Sequence, residues 1–167
     1  MSIEIRHARS QDQGFIISCL LNAARKNHFY LEVNNRDQVR LFKQHIADIV
    51  TRAESQPNSE YQVFIIETGG KHAGVAILTP LPKPGSGREI YALALRPEYR
   101  GRGLGSQTLD WLLDKLQKDV VVARCAPASK AMYHLLSTRG FETLGVTDEG
   151  FQVLQRDNLS LEDLSNV

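Results

Sequence analysis

Arg88-Glu-Ile-Tyr-Ala-Leu-Ala-Leu-Arg-Pro97, followed by Glu98-Tyr-Arg-Gly-Arg-Gly-Leu-Gly-Ser106 and Gln107-Thr-Leu-Asp-Trp-Leu-Leu-Asp-Lys-Leu116, is the stretch around which the chain is organised. The β-rich run Ile90 to Leu95 ends at Pro97, which has no N–H and biases Arg96 toward extended backbone. Glycines then stand at every second position, Gly101, Gly103 and Gly105. Leu109, Leu112, Leu113 and Leu116 fall at helical spacing, so the residues predict a helix opening straight out of the glycine loop.

A strand, a basic glycine loop and a helix start together make an anion site. The first N–H groups of a helix have no internal partner, and the aligned peptide dipoles leave that end partly positive. Glycine admits positive φ and close approach of the backbone, and Arg100 and Arg102 add guanidinium forks that suit phosphate oxygens. The expected ligand is a pyrophosphate or similar anion on the mouth of the helix. A dinucleotide fold needs Gly-x-Gly-x-x-Gly and an acidic residue about 20 positions on. Here the third glycine comes one position early, and the segment near 120 reads Asp-Val-Val-Val-Ala. The Gly-Lys-Ser/Thr of a nucleotide P-loop is absent. A plain basic turn before a helix is the remaining reading.

Arg100-Gly101-Arg102-Gly103-Leu104-Gly105 resembles the acyl-CoA signature of the GNAT superfamily of N-acyltransferases: Arg or Gln, two residues, Gly, one residue, Gly or Ala. The resemblance implies the GNAT fold, an α/β architecture with a mixed central sheet, helices on both faces and the order β-α-α-β-β-β-α-β-α-β-β. It implies acetyl-CoA as cosubstrate, bound by Arg100, Gly101, Arg102, Gly103, Leu104, Gly105 and Ser106. It further implies that the strands carrying Leu95 and Val122 splay, with the pantetheine arm pairing with backbone near Leu93 and Leu95. In the family a second motif places Asn, six residues, Tyr, with Gly-Phe four residues beyond. Counting back from Gly140-Phe141 puts Leu136 at the tyrosine position and Ser129 at the asparagine position. Ser129 can cap its helix and offer a hydroxyl to pantetheine, whereas Leu136 has no proton to give.

The remainder of the chain matches that order. Ile3 and Ile5 alternate with Glu4 and Arg6 as in a short strand, and Ser10 with Gln13 resembles a capping box. Phe15, Ile16, Cys19, Leu20 and Ala23 give one helical face, and Val39, Phe42, Ile46, Ile49 and Val50 a second within about 37–54. Residues 61–67 and 72–79 form β-rich runs around Thr68-Gly69-Gly70-Lys71, a hairpin. The proline- and glycine-rich 79–87 reads as a loop, and Asp119 to Cys125 as a buried strand. A helix follows from Pro127-Ala-Ser to about Thr138, then two short strands at 141–145 and 151–156 and a polar tail, 158–167. Residues 1–167 are taken as one domain, a length suited to a single core.

Twenty basic against 19 acidic residues leave a net charge of +1, which gives no field for non-specific nucleic-acid or membrane binding. The two cysteines, Cys19 and Cys125, lack metal spacing, and no signal peptide or 18-residue apolar run is visible, so a reducing cytoplasmic setting is expected. His7, His45 and His72 show no ligand spacing, so no metal is expected.

The expected activity is direct transfer of an acetyl group from acetyl-CoA to an amine of a small molecule. The alternatives are a CoA-binding module with little transfer, or a protein N-terminal or lysine acetyltransferase. An ammonium with pKa near 10.4 needs a base, and Glu89, at the start of the central strand, is the candidate; Glu67 is a weaker one and Glu98 reads as structural. Tyr133, one turn before Leu136, is the candidate displaced acid, with His134 rotated away from it. His28, Phe29, Tyr30 and Glu32 lie where the family walls its acceptor site and could cage a cationic amine. Neither cysteine has a base beside it in sequence. Many members of the family pair as dimers, so a homodimer is a further implication, though no stretch of this chain decides it.

Overall fold

The computed structural model describes residues 2–56 and 59–157. Seven strands form one sheet: β1 (Glu4–His7), β2 (Gln62–Thr68), β3 (Lys71–Pro80), β4 (Arg88–Leu95), β5 (Val121–Cys125), β6 (Glu142–Val146) and β7 (Gln152–Arg156). Four helices accompany them: α1 (Gln13–Arg25), α2 (Arg36–Ser55), α3 (Leu104–Lys115) and α4 (Lys130–Ser137). The chain order is the expected β-α-α-β-β-β-α-β-α-β-β, and across the sheet the strands run β1-β2-β3-β4-β5-β7-β6. β1 to β4 are antiparallel neighbours, β4 and β5 pair in parallel through the α3 crossover, and β5, β7 and β6 are antiparallel again.

Two apolar layers cover the sheet. On one face Ile16, Leu20, Ile46 and Val50 of α1 and α2 pack on Val63, Ile65, Val75 and Ile77. On the other, Leu109, Leu112 and Leu113 of α3 and Leu136 of α4 pack on Phe64, Ala76, Val121 and Ala123. β2 and β3 are therefore buried on both faces, which is why they are nearly continuous apolar runs rather than alternating ones. Gly69 and Gly70, both at positive φ (57° and 74°), make the two-residue turn between them.

A bulge in β4 decides which side chains reach which layer. Ile77 faces Ala92 but Leu78 faces Ile90, so Tyr91 is an extra residue with no partner in β3. Without it, Ile90, Ala92 and Ala94 would share a face. With it, Ile90 joins the α3/α4 layer together with Leu93, while Ala92, Ala94 and Tyr91 join the α1/α2 layer. The bulge thus switches which face the alternate side chains of β4 take.

Several local expectations need correction. Ser10 does not cap α1: Ser10 to Asp12 form a 3-10 turn, and α1 starts at Gln13. The Asp12 carboxylate accepts from the Arg9 N–H (2.8 Å) and from Arg6 (2.9 and 3.0 Å), and the Ser10 hydroxyl donates to Glu54 instead. A buried carboxylate that gains an arginine outcompetes an exposed serine for this end of the chain. Likewise Ser129 makes no capping bond to α4. β3 runs to Pro80, paired with Arg88, one residue beyond the expected start of the loop. The polar tail, 158–167, lies outside the described residues.

Candidate active site

β4 and β5 are paired only at Arg88–Val121, Glu89–Val122 and Ile90–Ala123, yet β4 continues to Leu95 and β5 to Cys125. Beyond Ile90 the two strands part. A cavity of about 490 Å³ fills the fork, a size that suits a small organic ligand. Its walls come from β4, β5, the α1–α2 loop, the glycine loop and α4.

The pleat of β4 turns polar backbone into this gap. The Arg96 N–H donates to Ala73 O (2.8 Å) across β3, so by alternation Ala94 and Ala92 bond β3 as well. Leu93 and Leu95 then direct their N–H and C=O away from β3, into the fork. Leu95 O confirms the direction by accepting from Arg100 Nε (3.1 Å). Both leucines line the cavity, and an extended arm carrying amides would complete the ladder that β5 abandons.

The far end of the cavity is the glycine loop. Gly101 (φ 72°) and Gly103 (φ 79°) are left-handed, and a Cβ on either would meet nothing within 4 Å. Conformation and open space, not crowding, demand glycine there. Gly105 is inside the helix, its notional Cβ 3.8 Å from Leu95 Cδ1, so alanine would fit. Gly103 is the residue before α3, no side chain caps this end, and the leading N–H groups of the helix stand toward the cavity mouth. Arg100, Gly101, Gly103, Leu104, Gly105 and Ser106 all line the cavity; Arg102 is exposed and does not. This cradle, with backbone donors, an arginine and no side chain in the way, fits a diphosphate joined to a thin amide-bearing arm.

Arg139 is a contributor that sequence reasoning passed over. Its Nη2 donates to Ser106 Oγ (2.7 Å), its Nε to Asp110 Oδ1 (2.7 Å) and its Nη1 to Leu135 O (3.0 Å). It ties the first turns of α3 to the end of α4 and keeps the Ser106 hydroxyl hydrogen available to a ligand. Asp110 is held below the usual carboxylate range mainly by that arginine.

At the inner end, Glu89 does not itself line the cavity, but it forms an ion pair with Arg124 (Oε1 to Nε, 3.4 Å), which does. Its side chain is 18% exposed, and burial raises its pKa above the ordinary carboxylate value, with Arg124 opposing. Tyr91, the bulged residue, lines the cavity, and burial followed by the nearby Glu89 charge raises its pKa. Glu67 is engaged with Arg6 (2.6 Å) and Glu98 with Arg96 (2.8 Å), so neither is presented to the fork.

The α4 residues divide differently from expectation. Tyr133 is not in the cavity lining; its hydroxyl shares a hydrogen bond with Thr143 Oγ1 (3.1 Å) on β6. His134, expected to be rotated away, lines the cavity, as does Leu136, which is 1% exposed. The α1–α2 loop also divides. His28 and Phe29 line the cavity, while Tyr30 is 69% exposed and Glu32 faces a separate hollow beside Asn35. The aromatic-acidic cage does not assemble. His28 instead shares a short hydrogen bond with Ser129 (Nδ1 to Oγ, 2.6 Å) across the mouth of the fork. Burial, then Arg100 and Lys26, lower its pKa. Cys125 lines the cavity too, but burial pushes its thiol up to about 11, which disfavours a nucleophilic thiolate.

The sequence model of the acetyltransferase (GNAT) family matches residues 27–141, well over half of the chain and every residue of the cavity wall except Ala23 of α1. The chain belongs to the GNAT acetyltransferase family. Solved structures repeat the fold at low identity. The PaiA N-acetyltransferase from Thermoplasma acidophilum, in complex with coenzyme A, aligns with TM-score 0.73 at 18% identity over 94% of this chain and 99% of its own. YncA from Salmonella typhimurium, with its cofactor acetyl-CoA, aligns at 0.69 and 20% over 96% of each chain. A ribosomal-protein-alanine N-acetyltransferase from Brucella melitensis aligns at 0.70 and 20% over 92% of this chain and 99% of its own. No curated protein matches this sequence. Among the described residues no helix is long and apolar enough to cross a membrane, and no group of three His, Cys, Asp or Glu is placed to hold a metal ion.

Proposed function

We propose that this GNAT protein is an N-acetyltransferase that carries the acetyl group of acetyl-CoA directly to the amine of a small molecule. One observation carries the reading: a single cavity joins an anion-ready helix mouth to a strand fork walled by Arg124, with the largely buried Glu89 paired to that arginine behind the lining. The leading amides of α3, with Arg100 and Ser106, hold the diphosphate. Leu93 and Leu95 hold the pantetheine amides, and Ser129 offers its hydroxyl to the same arm once His28 releases it. These contacts bring the thioester to the fork beside Tyr91.

Acetyl-CoA supplies the activated acyl group; the chain supplies position and a place for the proton. Glu89 takes the ammonium proton, through a water because its carboxylate lies behind the lining, and burial makes it a stronger base than a free carboxylate. The amine nitrogen bonds to the acetyl carbon, the carbon–sulfur bond breaks, and the sulfur keeps the electron pair. With a thiol pKa of about 8.5 the departing group tolerates the absence of an acid at Leu136. Holding both partners in one slot accounts for much of the acceleration, up to roughly 7–11 kcal/mol in favourable systems. The buried thiols Cys19 and Cys125 suit a reducing cytoplasm.

Leu136 favours a second reading, a CoA-binding module with little transfer. The two separate by incubating the protein with acetyl-CoA and a panel of amines while following free thiol. Amine-dependent thiol release supports the enzyme; tight CoA binding with no release from any amine supports the module.

A further inference from the structure

The lining of the cavity is short of negative charge. Among the described residues no Asp or Glu lines it, and its permanent charges are Arg100 and Arg124. Arg100 is strapped to Leu95 O at the glycine-loop end. At the fork, Arg124 is the charged group in the wall. It alternates with Val121, Ala123 and Cys125, which are buried in the α3/α4 layer, so it stands on the opposite, α1/α2 face of β5, where Tyr91 and Glu89 also lie. Its side chain is 57% exposed, and its Nε is 3.4 Å from Glu89 Oε1.

We infer that the acceptor is an amine carrying a carboxylate on a neighbouring carbon, a 2-amino acid or a molecule with that end, and that Arg124 is the residue that selects it. This rests on the acetyltransferase reading above. Glu89 and Arg124 are already a matched pair, and a zwitterion complements them: the ammonium turns toward Glu89 across a water, and the carboxylate meets the guanidinium fork of Arg124, two N–H groups to two oxygens. A polyamine meets the opposite situation, with a second ammonium against Arg124 and no carboxylate in the wall to receive it. The exposed Tyr30 and the diverted Glu32 remove the groups that could have caged such a cation. The chemistry balances as direct transfer: the ammonium proton passes to Glu89, the amine bonds to the acetyl carbon, and the carbon–sulfur bond breaks. The second proton that nitrogen sheds on becoming an amide passes to the departing thiolate, giving the N-acetyl amino acid and CoA.

The test follows thiol release from acetyl-CoA with a set of L-amino acids, their methyl esters, the matching decarboxylated amines, and spermidine. The expected result is a kcat/KM at least tenfold higher for a free acid than for its ester or decarboxylated amine. In Arg124→Gln that ratio falls to about one, and Arg124→Lys restores part of it. Equal or better turnover of esters, decarboxylated amines or spermidine overturns the inference and leaves the acetyltransferase reading standing, as does a ratio that survives Arg124→Gln. No release from any amine overturns both.

Discussion

Gly103→Glu separates the role of the glycine loop in holding an anion from its role in holding the fold. The backbone at Gly103 has φ 79°, where an L-residue costs about 1–2 kcal/mol. No atom lies within 4 Å of the Cβ position, so no clash adds to that strain. For a domain of this size each kcal/mol lowers the melting temperature by about 2–4 °C, so the variant should melt about 2–8 °C below the parent and stay folded. Binding suffers far more. A carboxylate about 4 Å from a phosphate charge, at an effective dielectric near 20, is repelled by about 4 kcal/mol, or roughly 1,000-fold. Rotation of the glutamate away relieves part of this, which leaves a loss of at least about 100-fold by the same conversion. Isothermal titration with CoA reads the affinity, and a thermal melt reads the fold. Gly105→Ala is the matched control: the position is helical with its nearest neighbour 3.8 Å away, so stability should hold or rise by up to about 1 kcal/mol with CoA affinity intact. A folded Gly103→Glu protein that binds CoA normally would refute the assignment of this loop.

Glu89→Gln should lower kcat/KM by roughly 100- to 10,000-fold with little change in CoA affinity. Because burial raises the Glu89 pKa and the base works ionised, the parent rate should rise with pH through a value above that of a free carboxylate; the variant should lose that limb. Arg139→Ala frees Ser106, so the KM for acetyl-CoA should rise about fivefold to tenfold, the worth of one ordinary hydrogen bond lost from an unfixed hydroxyl, while turnover of acetyl-pantetheine, which has no phosphates, stays level. Equal losses with both donors would make Arg139 merely structural. Asp12→Asn breaks the pairing with Arg6 and should cost about 2 kcal/mol, or about 4–8 °C in a melt. Arg6 depresses the Asp12 pKa, so this stabilisation is complete above the unfolded carboxylate value and disappears as the pH falls through the folded one; the difference between parent and variant should shrink on acidification.

What could be read from residues alone was whatever depends on neighbours in sequence. Pro97, the alternate glycines and the Leu109–Leu116 spacing place strand, loop and helix correctly, because each acts on its own few residues of backbone. The bulge at Tyr91 has no such local mark. One additional residue in β4 is visible only against the register of β3, yet it moves Ile90 to one face and Ala92 to the other. The His28–Ser129 bond joins positions 101 residues apart, so a serine that looks like a helix cap is drawn elsewhere. On α4, periodicity identified an apolar face without saying where the cavity wall would meet it; hence Tyr133 turns to Thr143 while His134 takes the wall. The carboxylate absent from the wall is equally invisible in sequence, since Glu32 sits in the right loop but faces another hollow.

The brief union of β4 and β5 has a mechanical side. With three residue pairs at the seam, the sheet's own hydrogen bonding divides into two rafts, β1 to β4 and β5 with β7 and β6, which the α3/α4 layer spans on one face. A molecule threaded along Leu93 and Leu95 becomes mortar between them as well as cargo. Occupancy should then stiffen the smaller raft, slowing amide exchange in β5 and β7 and raising the melting temperature with ligand concentration.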